Sequence, residues 1–271
     1  VNASGHHTAA GRFRRWARTM VAHRFGDAGA RDRGGSAPEI YQSSTMGALL
    51  DGVYEGEVTI AELLTHGDFG LGTFNRLDGE MVVLDGTCYH LWSDGTAAVA
   101  APTDRTPFAA VTRFRPGATI KITGPTGRDD VVALIDKAIP SENLVHAIRI
   151  TGAFGSMRTR TVMKQSPPYP PLVKATEGQA ETRFTDVAGT LAGFRSPDYE
   201  QGITVAGYHL HFLNAARDGG GHALDFRIDD GDIAISTASE LHLSLPRSEE
   251  FLTADLRTSH LGDQIRQAEG G

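Results

Sequence analysis

Three Asp-Gly pairs follow one another closely: Asp78-Gly79, Asp85-Gly86 and Asp94-Gly95. Apolar runs separate them, Glu80-Met-Val-Val-Leu84, Thr87-Cys-Tyr-His-Leu-Trp92 and Ala97–Ala101. A two-residue hairpin turn needs positive φ at its central positions, and Asp-Gly supplies it at little cost. This stretch therefore reads as an antiparallel meander. Glycine is also plentiful, 32 of 271 residues, against about 7% in an average chain. Turns and strands are expected to dominate, not a helical bundle.

Around the meander the apolar spacing places shorter elements. Ser44-Thr45 leads into Met46, Leu49, Leu50 and Val53, the spacing of a short helix. Thr59-Ile-Ala-Glu62 has the pattern of a capping box, with Gly67 as the stop. Val111–Phe114 and Thr119–Thr123 read as strands. Asp129-Asp130 opens a helix, where acidic residues suit the N-terminal dipole. Ser141-Glu-Asn-Leu begins another, with His146–Thr151 as its end or as a strand, and Phe154–Val162 alternates as a strand. Pro167-Pro-Tyr-Pro-Pro171 fits neither a helix nor a central strand and reads as a stiff linker. Beyond it, Phe184–Phe194, Ile203–Leu213, His222–Ile228, Asp232–Ser236 and Leu241–Leu245 are candidate strands, with turns at Arg217–Gly221 and Asp229–Gly231. The expected organisation is a basic tail over residues 1–36, an α+β lobe over 37–166 and a strand-rich lobe over 167–271.

Composition removes several function classes. The chain has 26 basic and 33 acidic side chains, a net charge of −7, which argues against a nucleic-acid-coating surface. Cys88 is the single cysteine, so there is no intrachain disulfide framework, four-cysteine zinc site or iron–sulfur cluster. No segment approaches the roughly 18 apolar residues of a membrane span. Arg14-Arg15 is a twin-Arg pair, but no apolar stretch follows it, so a cytoplasmic location is expected. No phosphate loop, dinucleotide fingerprint or nucleophile elbow is present: Gly124-Pro-Thr-Gly127 lacks the lysine, and Gly70-Leu-Gly72 lacks the spacing.

Eleven histidines remain to be explained. Most stand alone in sequence. In Gly207-Tyr-His-Leu-His-Phe, however, His209 and His211 point to one face of a strand, because side chains two apart do so. A Gly-rich turn then reverses the chain and His222 opens the next strand. Three imidazoles converging from a hairpin suit a zinc ion with coordination positions left open. Hydrogen-bonded strand histidines are the competing reading. Cys88, on an apolar strand with no base nearby, reads as a small core residue.

Several segments together resemble the α-acetolactate decarboxylase family. They are His66-Gly-Asp-Phe-Gly-Leu-Gly-Thr-Phe-Asn-Arg-Leu-Asp-Gly-Glu80, the strand around Arg158-Thr-Arg160, and Gly207-Tyr-His-Leu-His-Phe with Gly-Gly-His222. The resemblance runs from about Tyr41 to the C-terminus. It implies two strand-rich α+β lobes with a Zn2+ site between them, held by His209, His211 and His222. It assigns Glu80, Arg160 and Thr73 to the same pocket, and Glu269 as a glutamate that returns from the C-terminus. It also implies a homodimer acting on a small molecule, with neither nucleic acid nor membrane as partner.

The implied reaction turns (S)-2-acetolactate into (R)-acetoin and CO2. Loss of CO2 leaves an electron pair that only the neighbouring ketone can accept, giving an enediolate. Zinc would stabilise that charge as a Lewis acid. Arg160 would orient the carboxylate through paired hydrogen bonds. Glu80 would handle the proton, and Glu269 would add a second carboxylate or close the site. Two alternatives stand beside this reading. A cupin-like metal enzyme shares the His-x-His signature, though Asn214–Arg217 offers no glutamate where a cupin would place one. A small-molecule binding module with a structural zinc would need a fourth protein ligand.

Overall fold

The computed structural model describes residues 38–256 and 261–269. The expected tail, residues 1–36, lies outside the described residues. The first half alternates strands with short helices. β1 (Glu39–Ser43) leads into α1 (Met46–Leu50), and β2 (Val58–Thr59) into α2 (Ile60–His66). The meander follows as β3 (Phe69–Thr73), β4 (Glu80–Leu84), β5 (Thr87–Leu91) and β6 (Ala97–Val99). β7 (Arg105–Thr106) pairs with β2, and β8 (Phe108–Thr112) returns between β1 and β3.

β9 (Ala118–Gly127), α3 (Arg128–Ala138) and the long β10 (Val145–Thr161) come next. After α4 (Leu172–Ala175) the chain forms β11 (Ala180–Ser196), β12 (Gly207–Asn214), β13 (Gly220–Ala238) and β14 (Glu240–Ser244). It ends in α5 (Glu249–Thr253) and α6 (Leu261–Glu269). No helix among the described residues is long and apolar enough to cross a membrane.

The fold is α+β, as expected. One sheet has seven strands in the order β14-β1-β8-β3-β4-β5-β6, and the other has five in the order β10-β11-β12-β13-β9. β13 also pairs with β10, so four strands of the second sheet close on themselves. The sheets pack against each other: Phe69, Leu71 and Val82 of the first share a buried cluster with Ala192, Phe194 and Leu213 of the second. α3 adds Val131 and Ile135 to the core of the second sheet. The first two expected helix starts form. The Ala48 N–H donates to Thr45 Oγ1 at 3.1 Å and the Glu62 N–H to Thr59 Oγ1 at 3.2 Å, capping bonds that occupy otherwise orphaned donors.

Several expectations are corrected. Ser141–Leu144 is a turn and not a helix; the Asn143 N–H donates to Ser141 Oγ, and β10 begins at Val145. Its Ala147, Ile148 and Ile150 are all fully buried, as a strand inside a two-sided core requires. The expected strand Phe154–Val162 is, up to Thr161, part of this same strand. Asp229–Gly231 is not a turn either. It lies within the single strand β13, which changes register against β9 between Ile228 and Asp230. Gly231 faces Gly152 of β10, and a Cβ on Gly231 would stand 2.5 Å from Thr151 O. Glycine here permits a close backbone approach inside a sheet.

The Pro-rich segment 167–171 joins β10 to β11, which pair with each other along their length. The divide between the sheets therefore falls between β8 and β9, with β14 returning to the first sheet. The segment is held in place: the Tyr54 hydroxyl donates to Pro170 O at 2.8 Å, and the Tyr169 hydroxyl donates to Glu55.

One glycine is required by the sheet packing. A Cβ on Gly193 would lie 2.0 Å from the His209 carbonyl oxygen and 2.8 Å from Leu71 Cδ2 of the facing sheet. The first obstacle is backbone and cannot rotate away. Gly193→Ala is expected to cost about 1–3 kcal/mol by overpacking, a fall of roughly 2–10 °C in Tm for a domain of this size. A thermal melt of the variant checks this, and an unchanged Tm would contradict it.

Candidate active site and metal centre

β12 builds half of the site. Leu210 and Phe212 face the core beneath α3, which turns His209 and His211 to the opposite face. The tight return at Arg217–Gly221 then sets His222 directly across from His211. The three rings lie 5.0–5.3 Å apart between centroids, and one ligand atom from each falls within 4.8 Å of the others. His209 Nε2 and His211 Nε2 are 3.2 Å apart. All three side chains are buried.

Two observations fit this trio to a cation. His211 Nδ1 lies 2.8 Å from Met81 O. A carbonyl only accepts, so Nδ1 carries the hydrogen and Nε2 keeps its lone pair. Burial, with the Arg160 charge adding to it, pushes the His209 pKa down to about 3. That imidazole is neutral near pH 7, the state a metal ligand needs. An all-imidazole set on a borderline-soft ion is the donor chemistry of zinc.

The first sheet and β10 supply the rest. Thr73 and Glu80 are partners in the β3–β4 ladder. The Thr73 hydroxyl donates to Gly79 O at 2.7 Å and ties down the turn that delivers Glu80. Gly79 has φ +84°, and a Cβ there would meet Leu91 O at 2.1 Å, so the turn needs glycine on both counts. Glu80 Oε2 lies 3.6 Å from His211 Nε2. Arg160, buried, stands opposite His222 in the β10–β13 ladder. Arg158 is different: it makes an exposed ion pair with Glu181, and the ladder shifts register between Arg158 and Thr159.

Thr73, Glu80, Arg160 and His209 line one cavity. Its remaining wall is largely apolar and includes Met46 and Leu49 of α1, Phe108 of β8 and Leu172 of α4. α6 covers it, burying Ile265 and Ala268 against α1 and α4, and Ala268 faces the cavity. The side chain of Glu269, the next residue, lies outside the described residues. Thr176 and Gln179 also line the cavity. Sequence reasoning missed both, since neither sits in a motif or a periodic run.

The other described histidines have structural partners. His90 stacks between Phe74 and Trp92 and bonds Asp78 O. His146 is held by Ser141 O and Thr237, and His66 stacks on Tyr41. Cys88 is buried, and its thiol pKa is pushed up to about 12, chiefly by that burial. It is no nucleophile. His6, His7, His23 and His260 lie outside the described residues.

The sequence and fold have close counterparts. A family model described as Alpha-acetolactate decarboxylase matches residues 40–258. The alpha-acetolactate decarboxylase of Methylococcus capsulatus is 47% identical over 231 residues, 85% of this chain and 88% of that protein. That of Klebsiella aerogenes is 47% identical over 230 residues, with 85% and 88% covered. The crystal structure of alpha-acetolactate decarboxylase from Bacillus subtilis strain 168 superposes with a TM-score of 0.85 at 44% identity, over 86% of this chain and all of that one. With the family model spanning most of the chain and relatives this similar along nearly their whole length, the chain belongs to the alpha-acetolactate decarboxylase family.

Proposed function

We propose that this protein decarboxylates 2-acetolactate to acetoin, using Zn2+ held by His209, His211 and His222. The observation that carries the reading is a trio of buried imidazoles, one of which, His209, lines a cavity together with the Glu80 carboxylate and the buried Arg160 guanidinium. When bound, the metal supplies fixed positive charge, as a Lewis acid, for negative charge developing on oxygen.

The chain's own groups do the rest. Arg160 pairs with the substrate carboxylate and holds it out of the plane of the ketone. The breaking C–C bond then overlaps the carbonyl π system, and its electron pair moves onto the ketone oxygen as CO2 departs. Glu80 delivers a proton to the carbon left behind, which completes acetoin. Because Glu80 comes from one side only, one face of that carbon is protonated. Thr73 has spent its hydrogen on Gly79 O and keeps lone pairs to accept from the substrate hydroxyl. Glu269 is assigned as a second carboxylate on the family resemblance. The reading includes a cytoplasmic location and a homodimer; exposed Leu241, Leu245, Leu252 and Leu256, along the C-terminal edge strand and beyond it, support the second of these.

The experiment is direct. Purified protein given racemic acetolactate is expected to form acetoin, and a chelator is expected to stop it, with activity restored by added Zn2+. No acetoin, or acetoin insensitive to a chelator that strips all metal, overturns the reading.

A further inference from the structure

The polar groups around the cavity are engaged, with one exception. Thr73 donates to Gly79 O, and the Thr176 hydroxyl donates to Val173 O at 3.1 Å. His209, Glu80 and Arg160 gather at the candidate metal centre. Gln179 lines the same cavity and is half-buried, yet no hydrogen bond joins its side chain to any other described residue. Its backbone is used, since the N–H donates to Thr176 O at 3.4 Å. A half-buried amide with no protein partner has its N–H donors and its oxygen available to a ligand.

Its position says which part of the ligand. Gln179 immediately precedes β11, whose first residues Ala180 and Glu181 pair with Thr161 and Arg160. Gln179 thus lies two residues from Glu181, the ladder partner of Arg160, and it lines the cavity together with Arg160 and Val162. We infer that Gln179 is a further substrate-binding residue, its amide N–H donating to the same carboxylate that Arg160 holds. The inference rests on the proposed decarboxylation.

A neutral donor suits this spot. The carboxylate must leave as uncharged CO2, so a second cation there would hold the ground state more firmly than the transition state and slow the reaction. An amide fixes orientation with less of that penalty. The contact belongs to the carboxylate and is lost as CO2 forms, so its removal should weaken substrate binding more than turnover.

Steady-state kinetics and product inhibition test this together. Gln179→Ala is expected to raise KM for acetolactate about tenfold, the loss typical of one hydrogen bond to a charged group, with a smaller change in kcat. Gln179→Glu, which sets like charges together, should raise KM further. Inhibition by acetoin, which lacks the carboxylate, should stay within about twofold of wild type. Metal content and Tm should match wild type in each variant. If Gln179→Ala fails to fold, Gln179→Asn withdraws the amide by one methylene and should still raise KM severalfold. An unchanged KM overturns the inference, and so does a parallel loss of acetoin binding. An inactive wild-type enzyme would sink the decarboxylase reading itself, whereas an active one with an indifferent Gln179 removes this inference alone.

Discussion

Glu80→Gln is expected to lower kcat by about 10²–10⁴-fold, the usual contribution of a positioned general acid, while bound metal and KM change little. The substitution keeps volume and hydrogen-bonding shape but removes the transferable proton. Glu80 is held from two sides. The Thr73–Gly79 bond fixes the turn before it, and the β3–β4 ladder fixes its strand. The variant should therefore fold normally, since no core contact is lost. Its carboxylate lies 3.6 Å from a candidate ligand nitrogen, so elemental analysis of the variant is part of the test. Metal retained with turnover lost assigns Glu80 to proton delivery. Metal lost with turnover would make it a ligand instead. Turnover retained would remove it from the reaction and leave the enediolate to be protonated by another group.

What the sequence disclosed follows the range of the forces involved. The hairpins were legible because an Asp-Gly turn and its flanking alternation are local events. The convergence of His209, His211 and His222 was legible for the same reason, since one hairpin and period-2 alternation are enough to produce it. Arg160 could be told from Arg158 only by resemblance. The register shift between them is set by β13, far away in sequence. Asp229–Gly231 resembled a turn because glycine usually marks one. Here it marks the close approach of two strands, visible only once Gly152 is placed opposite.

Gln179 was illegible for a further reason. The chain reaches α4 and its following loop through the Pro-rich segment, which Tyr54 and Glu55 pin from the other half of the molecule. The closeness of Glu80 to His211 likewise depends on two sheets packing, and no short-range pattern encodes that.

Removing one imidazole should have the other large effect. His211→Ala is expected to drop metal content from one ion per chain toward zero and to abolish acetoin formation. His211 is the informative choice because the Met81 carbonyl fixes its tautomer, so its Nε2 is presented before any ion arrives. A ligand that binds only the folded state stabilises it by RT ln(1 + [L]/Kd), about 2.7 kcal/mol at a concentration of 100 Kd. For a domain of this size that corresponds to roughly 5–10 °C in Tm. Stripped wild-type protein should therefore gain about that much on addition of Zn2+, and His211→Ala should gain almost nothing. This readout is independent of catalysis, so it separates loss of the ion from damage to the chemistry. The same titration of Arg160→Lys should keep the thermal shift and lose activity, because a lysine keeps charge but cannot form the planar pair with a carboxylate. A full zinc shift in His211→Ala would place the ion elsewhere, and the trio would then be a buried hydrogen-bonded cluster rather than a metal centre.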